Sequence, residues 1–280
     1  MSVALAMHRW GDGAQPAVLL HGFTGSASSF DHLKPLLGPA LRVAALDLPG
    51  HGKSPIAVNG GGAWESTLDS IAEAIDRAHG GPAHLIGYSM GARLALGVAL
   101  RHPHLVTRLV LESGTAGVRG EQARAERLAQ DQQLAALLDR EGVPAFIARW
   151  EENDLLAGLR KLPAALAEPL RARRLSQSAA GLGWALRMLG PAAQPDLWRE
   201  LRSLRAPTLL LHGSRDDKFR ALAEKMALRI PEAALHELRG AGHTPHLERP
   251  RDYAAALLEF LAPAAGAGDI FITGNTGSTP

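Results

Sequence analysis

Short apolar runs recur along the chain and alternate with longer stretches in which apolar residues return every three or four positions. Six runs read as strands, at 17–20, 42–46, 83–87, 108–111, 208–211 and 233–238. Their near-continuous apolar character suits a parallel sheet covered on both faces, since a half-solvated strand would alternate. Between Ser113 and about Ala206 the strand signal vanishes, and 122–140, 145–159, 164–179 and 182–189 read as helices. The pattern predicts an α/β fold: a mostly parallel central sheet flanked by helices, with a helical cap inserted between two strands. The expected division is a core at 1–113, a cap at 114–206, the rest of the core at 207–262 and a flexible tail at 263–280. Segments 47–54 and 59–62 are turn-rich loops, and within the tail 269–273 could pair as a strand.

Gly87-Tyr88-Ser89-Met90-Gly91 joins one of these apolar runs to the helical pattern that begins at Ala92. A G-x-S-x-G sequence at a strand–turn–helix junction is a nucleophile elbow, which strains the serine backbone and lifts its hydroxyl above the sheet edge. The helix opening at Met90 offers free N–H groups to an anion. Partners for a serine should follow in the order acid, then histidine. Asp216 leaves the strand at 208–211, and His243 follows the strand at 233–238 through Gly240-Ala241-Gly242. Both therefore sit at strand C-terminal ends, where open α/β sheets build their sites. Asp217 is the rival acid and His246 the rival base; distance from the strand end favours Asp216, and the Gly-Ala-Gly approach favours His243. His21, His51, His84 and His212 read as structural or exposed. An oxyanion hole needs two donors; the Met90 amide is one, and the Phe23 amide, in the loop after the first apolar run, is the other.

Composition narrows the choice without changing it. The 280 residues are 46% hydrophobic, enough for one large domain with an insertion. The chain carries 30 basic and 28 acidic side chains, so no global basic field argues for nucleic acid. Without cysteine there is no disulfide, thiol chemistry or cysteine metal site. No apolar run approaches a membrane span and no leader pattern opens the chain, which makes a cytoplasmic protein the expectation. Neither a metal nor an organic cofactor is expected, and a monomer or weak homo-oligomer is the expected state.

The elbow, the acid loop and the histidine loop together identify the chain as a member of the α/β-hydrolase fold, which hosts many reactions. Further segments extend the match: His21-Gly22-Phe23-Thr24-Gly25-Ser26 and the loop Asp47-Leu48-Pro49-Gly50-His51-Gly52-Lys53-Ser54, both shared widely across the fold like Gly240-Ala241-Gly242-His243, then Gly87 to Arg93. Much more selective are the cap segments Arg174-Leu175-Ser176-Gln177-Ser178 and Ala193-Gln194-Pro195-Asp196-Leu197-Trp198, and the Asp-Lys-Phe ending of the acid loop, Gly213 to Phe219. With these the chain, from about residue 3 to 262, resembles the 2-succinyl-6-hydroxy-2,4-cyclohexadiene-1-carboxylate synthase family, pyruvate-eliminating enzymes of menaquinone biosynthesis.

The resemblance implies a small polycarboxylate substrate, for which arginine is the suited binding side chain. Arg93 lies one helical turn past Ser89, on the same face. Arg127 and Arg174 match the family's other carboxylate-binding arginines, Trp150 a cap tryptophan that packs on ligand, and Tyr88 the elbow tyrosine. Arg127 also suits a solvated helix face with Arg124 and Glu126, and Arg173 is the neighbour that competes with Arg174. The implied chemistry uses His243 and Ser89 as a base, with the enolate held by the Phe23 and Met90 amides. One departure is Ala92, where many relatives carry a third glycine. A serine hydrolase acting on esters, lactones or C–C bonds would use the same three residues. A non-catalytic binding protein on this fold would not need the acid.

Overall fold

The apolar runs become the strands of one sheet in a computed structural model, which describes residues 2–56 and 62–262. The strands are β1 (Met7–Trp10), β2 (Gln15–Leu20), β3 (Leu41–Leu46), β4 (Ala83–Tyr88), β5 (Val106–Glu112), β6 (Thr208–Gly213) and β7 (Ala233–Leu238). The helices are α1 (Lys34–Leu37), α2 (Ala63–His79), α3 (Met90–Arg101), α4 (Glu121–Glu151), α5 (Ala164–Leu175), α6 (Ala179–Leu189), α7 (Asp217–Ala227), α8 (Pro245–Glu248) and α9 (Pro250–Leu261). Strand order is β1-β3-β2-β4-β5-β6-β7, parallel throughout except for β1. The expected loop at 59–62 is described only at Gly62, and the tail with its 269–273 stretch lies outside the described residues.

The sequence pattern missed β1. Met-His-Arg-Trp is short and half exposed, with no apolar run to mark it, and it exists because it pairs antiparallel with β3, Met7 opposite Leu46 and Trp10 opposite Val43. Strands β2 to β6 are buried on both faces, as their composition requires. The last strand, β7, is different: as the sheet's edge it buries only Leu238 fully.

Helix α2 turns Trp64, Leu68, Ile71 and Ile75 to one sheet face, where α3 lies almost wholly buried. On the other face Leu33, just before α1, Leu37 of α1, and Tyr253 and Leu257 of α9 pack against β2, β3 and β5. Between β5 and β6 come α4, α5 and α6; α4 and α6 share a core of Ala135, Leu138, Phe146, Ile147, Leu182 and Leu186, while α5 packs Leu170 with Leu156, Leu159 and Leu247. The long α4 is broken at Gly142 (φ 77°, ψ −179°) ahead of Pro144, so its two halves correspond to the two separate helices that the pattern suggests. Asn153 starts a 3-10 segment, Asp154–Lys161, by accepting the Leu155 N–H. Ser178 caps α6 by accepting the Gly181 N–H, so the expected helix 164–179 stops at Leu175 and the one expected at 182–189 starts early, at Ala179.

This topology locates the site. The chain leaves β2 toward β3 on one side and later returns to β4 on the other, so the loops after β2 and β4 diverge above a crevice. Beyond β4, the ends of β5, β6 and β7 deliver further loops to the same edge.

Candidate active site

Ser89 occupies φ 51°, ψ −105°, a region a non-glycine residue enters only when its surroundings enforce it. Two backbone bonds do so: the Ser89 N–H donates to Glu112 O at 2.8 Å, and Ser89 O accepts the Arg93 N–H at 3.1 Å. Gly91 lets α3 press on the loop after β2, since a Cβ there would collide with Leu20 O. Ala92 is accommodated in turn by Gly114, whose missing side chain leaves room for the Ala92 methyl group.

His243 Nε2 lies 3.2 Å from Ser89 Oγ, and His243 Nδ1 lies 2.7 Å from Asp216 Oδ2. The second carboxylate oxygen of Asp216 accepts the Phe219 N–H at 3.2 Å, capping α7 and fixing the carboxylate plane. Asp216 and His243 are both buried, while Asp217 turns outward and pairs with Arg220. His246 is also excluded from the cluster. Its Nδ1 lies 2.7 Å from Glu112 Oε1, which its own amide also reaches at 3.1 Å, and both side chains are buried. That pair staples the histidine loop to the end of β5. The Phe219 ring packs on His243, centroids 4.5 Å apart, and Tyr88 lies between His243 and His246 at 5.6 and 4.7 Å.

A cavity of about 660 Å³ lies between this cluster and α4–α6, and every site residue expected from the sequence except Asp216 lines it. Asp216 stands behind His243, on a smaller recess of about 140 Å³. The first intrahelical bond of α3 is the one to Arg93 N–H, so the Met90 amide lies outside the helix ladder. In the loop after β2 the turn bond runs from Gly25 N–H to Gly22 O and leaves the Phe23 amide outside it.

Arg93 is buried at the cavity wall. One guanidinium nitrogen donates to Leu189 O at 2.8 Å, and Nη1 has no partner among the described residues. Burial, together with the charge of nearby Arg127, pushes its pKa down to about 9, with Asp131 opposing weakly. The group stays cationic at neutral pH, but its charge is poorly compensated. Arg127 reaches the cavity while holding the buried Asp131 carboxylate at 2.9 Å. Burial raises the Asp131 pKa and Arg127 holds it back. Arg174 is buried and pairs with Glu151 at 3.2 Å, whereas Arg173 is not in the cavity wall. Trp150 stacks on Phe146 at 5.8 Å and meets Phe23 edge to face at 5.2 Å, continuing an aromatic wall toward the elbow. Burial, helped by Glu112, drives the Tyr88 hydroxyl pKa well above its ordinary value.

The other histidines hold the frame. His21 donates from Nδ1 to Gly22 O and accepts the Leu48 N–H at Nε2, so it is neutral by construction. His51 packs against it at 5.0 Å, and burial lowers the two pKa values to about 4 and about 3 respectively. His84 bonds Thr107 and Gln15, and His212 lies against Gly213 O.

Sequence reading missed part of the wall. Lys218, Phe219 and Trp198 lie in segments that carry the family resemblance but have no local feature to assign them a role, and Arg119, Lys225 and Arg229 belong to no motif at all. Only the tertiary fold brings the turn before α4 and the outer face of α7 to one opening.

Residues 17–256 match the sequence profile of the alpha/beta hydrolase family. A Salmonella agona (strain SL483) protein named 2-succinyl-6-hydroxy-2,4-cyclohexadiene-1-carboxylate synthase is 34% identical over 249 residues, 89% of this chain and 94% of its own. A Bacillus subtilis (strain 168) relative that bears the same name provisionally is 35% identical over 252 residues, 89% of this chain and 91% of its own. The chain belongs to this synthase family. The structure agrees: MenH from S. aureus superposes with a TM-score of 0.86 at 30% identity, covering 93% of this chain and 98% of that one. Members of the family are enzymes of menaquinone biosynthesis built on the α/β-hydrolase fold, and the present chain shares that function at this level. Among the described residues no helix is long and apolar enough to cross a membrane.

Proposed function

We propose that the cavity eliminates pyruvate from 2-succinyl-5-enolpyruvyl-6-hydroxy-3-cyclohexene-1-carboxylate, giving 2-succinyl-6-hydroxy-2,4-cyclohexadiene-1-carboxylate. The observation that carries this reading is Arg93: a buried guanidinium one turn from Ser89, with an unpartnered Nη1 at the wall of a cavity lined by further cations. A simple ester needs no such group, whereas a carboxylate would satisfy it with a charge-assisted bond.

His243 accepts the Ser89 proton at Nε2, and Asp216 stabilises the resulting imidazolium from the Nδ1 side. Ser89 Oγ then removes the ring proton α to the succinyl carbonyl. The carbonyl becomes an enolate whose oxygen takes the Phe23 and Met90 amides. As the enolate collapses, its electrons form the first ring double bond, the existing double bond shifts by one position and the C–O bond to the enolpyruvyl group breaks. The enolate of pyruvate is expelled and is protonated at its methylene carbon. The proton held by the His243 imidazolium returns to solution or product to close the cycle, and no covalent enzyme intermediate forms. Arg93, Arg127 and Arg174 hold carboxylates, with Trp150 and Tyr88 packing on the ring and chain. The reading makes this a cytoplasmic lyase acting on a small polycarboxylate.

A serine hydrolase is the second reading, favoured by the likeness to a thermophilic esterase from Thermogutta terrifontis (TM-score 0.79, 29% identity, 92% of both chains). One experiment separates the two. Pyruvate release from freshly made substrate is measured against its spontaneous breakdown, with Ser89→Ala protein and a short-chain nitrophenyl ester alongside. The lyase reading expects strong pyruvate release that depends on Ser89, with feeble ester cleavage. Background release with good ester turnover would overturn it in favour of the hydrolase.

A further inference from the structure

The cavity has a second group of cations that the proposed chemistry leaves without a task. Arg119 lies in the segment before α4, Lys218 and Lys225 lie on α7, and Arg229 follows it; all four line the cavity. Arg119 and Arg229 are remote in sequence yet converge on one indole, with guanidinium carbons 5.9 and 5.4 Å from the Trp198 ring. Trp198 is buried and fixed, its Nε1 donating to Gly117 O at 2.9 Å and its amide to Asp196 Oδ1 at 3.0 Å. Arg229 is tied down further by a bond from Nη1 to Lys225 O at 2.7 Å.

None of the four makes an ion pair among the described residues, although Arg127 and Arg174 in the same wall do. Glu126 is the sole acid among the lining residues, and it already accepts from Gln122. Four positive charges around one opening repel each other and raise the local concentration of anions. Arg119 and Lys225 are exposed, Arg229 is half-buried and Arg93 is buried, so cationic groups run from the rim to the neighbourhood of Ser89.

We propose that Arg119 and Arg229, held on Trp198 and joined by Lys225, form a second carboxylate subsite at the cavity mouth. It takes one carboxylate of the incoming polycarboxylate while another is still on its way to Arg93. The identity of that substrate rests on the lyase reading above; the subsite's affinity for a polycarboxylate does not. Its contribution falls on capture and not on proton transfer, so it raises kcat/KM and its sensitivity to salt and leaves kcat alone.

The test uses Arg119→Gln/Arg229→Gln and, separately, the exposed Lys225→Gln, with thermal unfolding to show that each is folded. At low ionic strength the double variant should lose about 5–20-fold in kcat/KM for pyruvate release, with kcat within about twofold. Its decline with added salt should be shallower than that of the parent protein, which a merely structural role would not produce. Independently of turnover, citrate is titrated onto Ser89→Ala protein and followed by tryptophan fluorescence, with Trp198→Phe as the control that removes the signal. A saturable change, weakened at least fivefold by the double substitution on the Ser89→Ala background, supports the subsite even if the parent protein releases no pyruvate, in which case only the lyase reading fails. Unchanged citrate affinity together with unchanged kcat/KM and salt dependence in the folded variants would overturn it.

Discussion

Replacing Arg93 by methionine should make the protein more stable and much less active at once. Burial that lowers the Arg93 pKa from its ordinary value to about 9 corresponds to roughly 5 kcal/mol against the charged form. Methionine removes that penalty at similar length, but it also removes the bond to Leu189 O, a loss of about 1.5–3 kcal/mol. The expected net gain is therefore about 2–3 kcal/mol, which for a chain of this size raises Tm by roughly 4–8 °C. Buried unpaired charges replaced by apolar groups behave in this direction. Catalysis should move the other way. Removing one partner of a buried carboxylate–guanidinium pair costs about 2–5 kcal/mol, so kcat/KM for pyruvate release should fall about 30- to 5,000-fold. Differential scanning calorimetry and steady-state kinetics on the same preparation read both quantities. A variant that melts lower and keeps its turnover would refute the reasoning, because Arg93 would then be a structural cation with no part in substrate binding.

The paired His21 and His51 predict acid sensitivity. Their folded pKa values, about 4 and about 3, lie below the unfolded 6.5, so the unfolded chain binds more protons over the window between. Stability should be complete above about pH 7.5 and fall by about 4 kcal/mol by pH 5, about 2 from each histidine, where most carboxylates are still ionised in both states. His51→Asn should flatten that slope by about one proton; urea unfolding at intervals from pH 7 to 5 measures it, and a flat profile in the parent protein would contradict the assignment. Gly181 in α6 lies directly on Gly50 of the core, and a Cβ on Gly181 would collide with Gly50 O. Gly181→Ala should therefore push α6 from the 47–54 loop and raise KM several-fold while global unfolding changes by less than about 3 kcal/mol; unchanged kinetics would mean that this contact does not position the cap.

The strands β2 to β7, the elbow and the order of serine, acid and histidine are written locally. Their signals are apolar runs, Gly-x-Ser-x-Gly, and the turn residues beside Asp216 and His243. Each depends on residues within a few positions of one another, so the chain alone carries them. The same applies to the break in α4 at Gly142 and Pro144. Strand β1 was not legible, because Met7 to Trp10 owes its conformation to pairing with β3 and not to its own pattern. Nor could spacing decide between Asp216 and Asp217 by itself. Only the folded loop turns one carboxylate onto His243 and the other toward Arg220.

Long-range packing decided the charges of the site. In sequence, Arg93 stands out among 25 arginines by its place one turn past Ser89 and Arg127 and Arg174 only by resemblance, while nothing separates Arg119 and Arg229 from surface groups. In the fold, Asp131 and Glu151 partner Arg127 and Arg174, while among the described residues Arg93 is buried without an ion-paired carboxylate and Arg119 and Arg229 converge on Trp198. The sequence by itself determined where the nucleophile turn forms, because backbone strain and glycine are local properties. Which cations face the cavity uncompensated was settled only by tertiary structure, because compensation depends on neighbours that are distant along the chain.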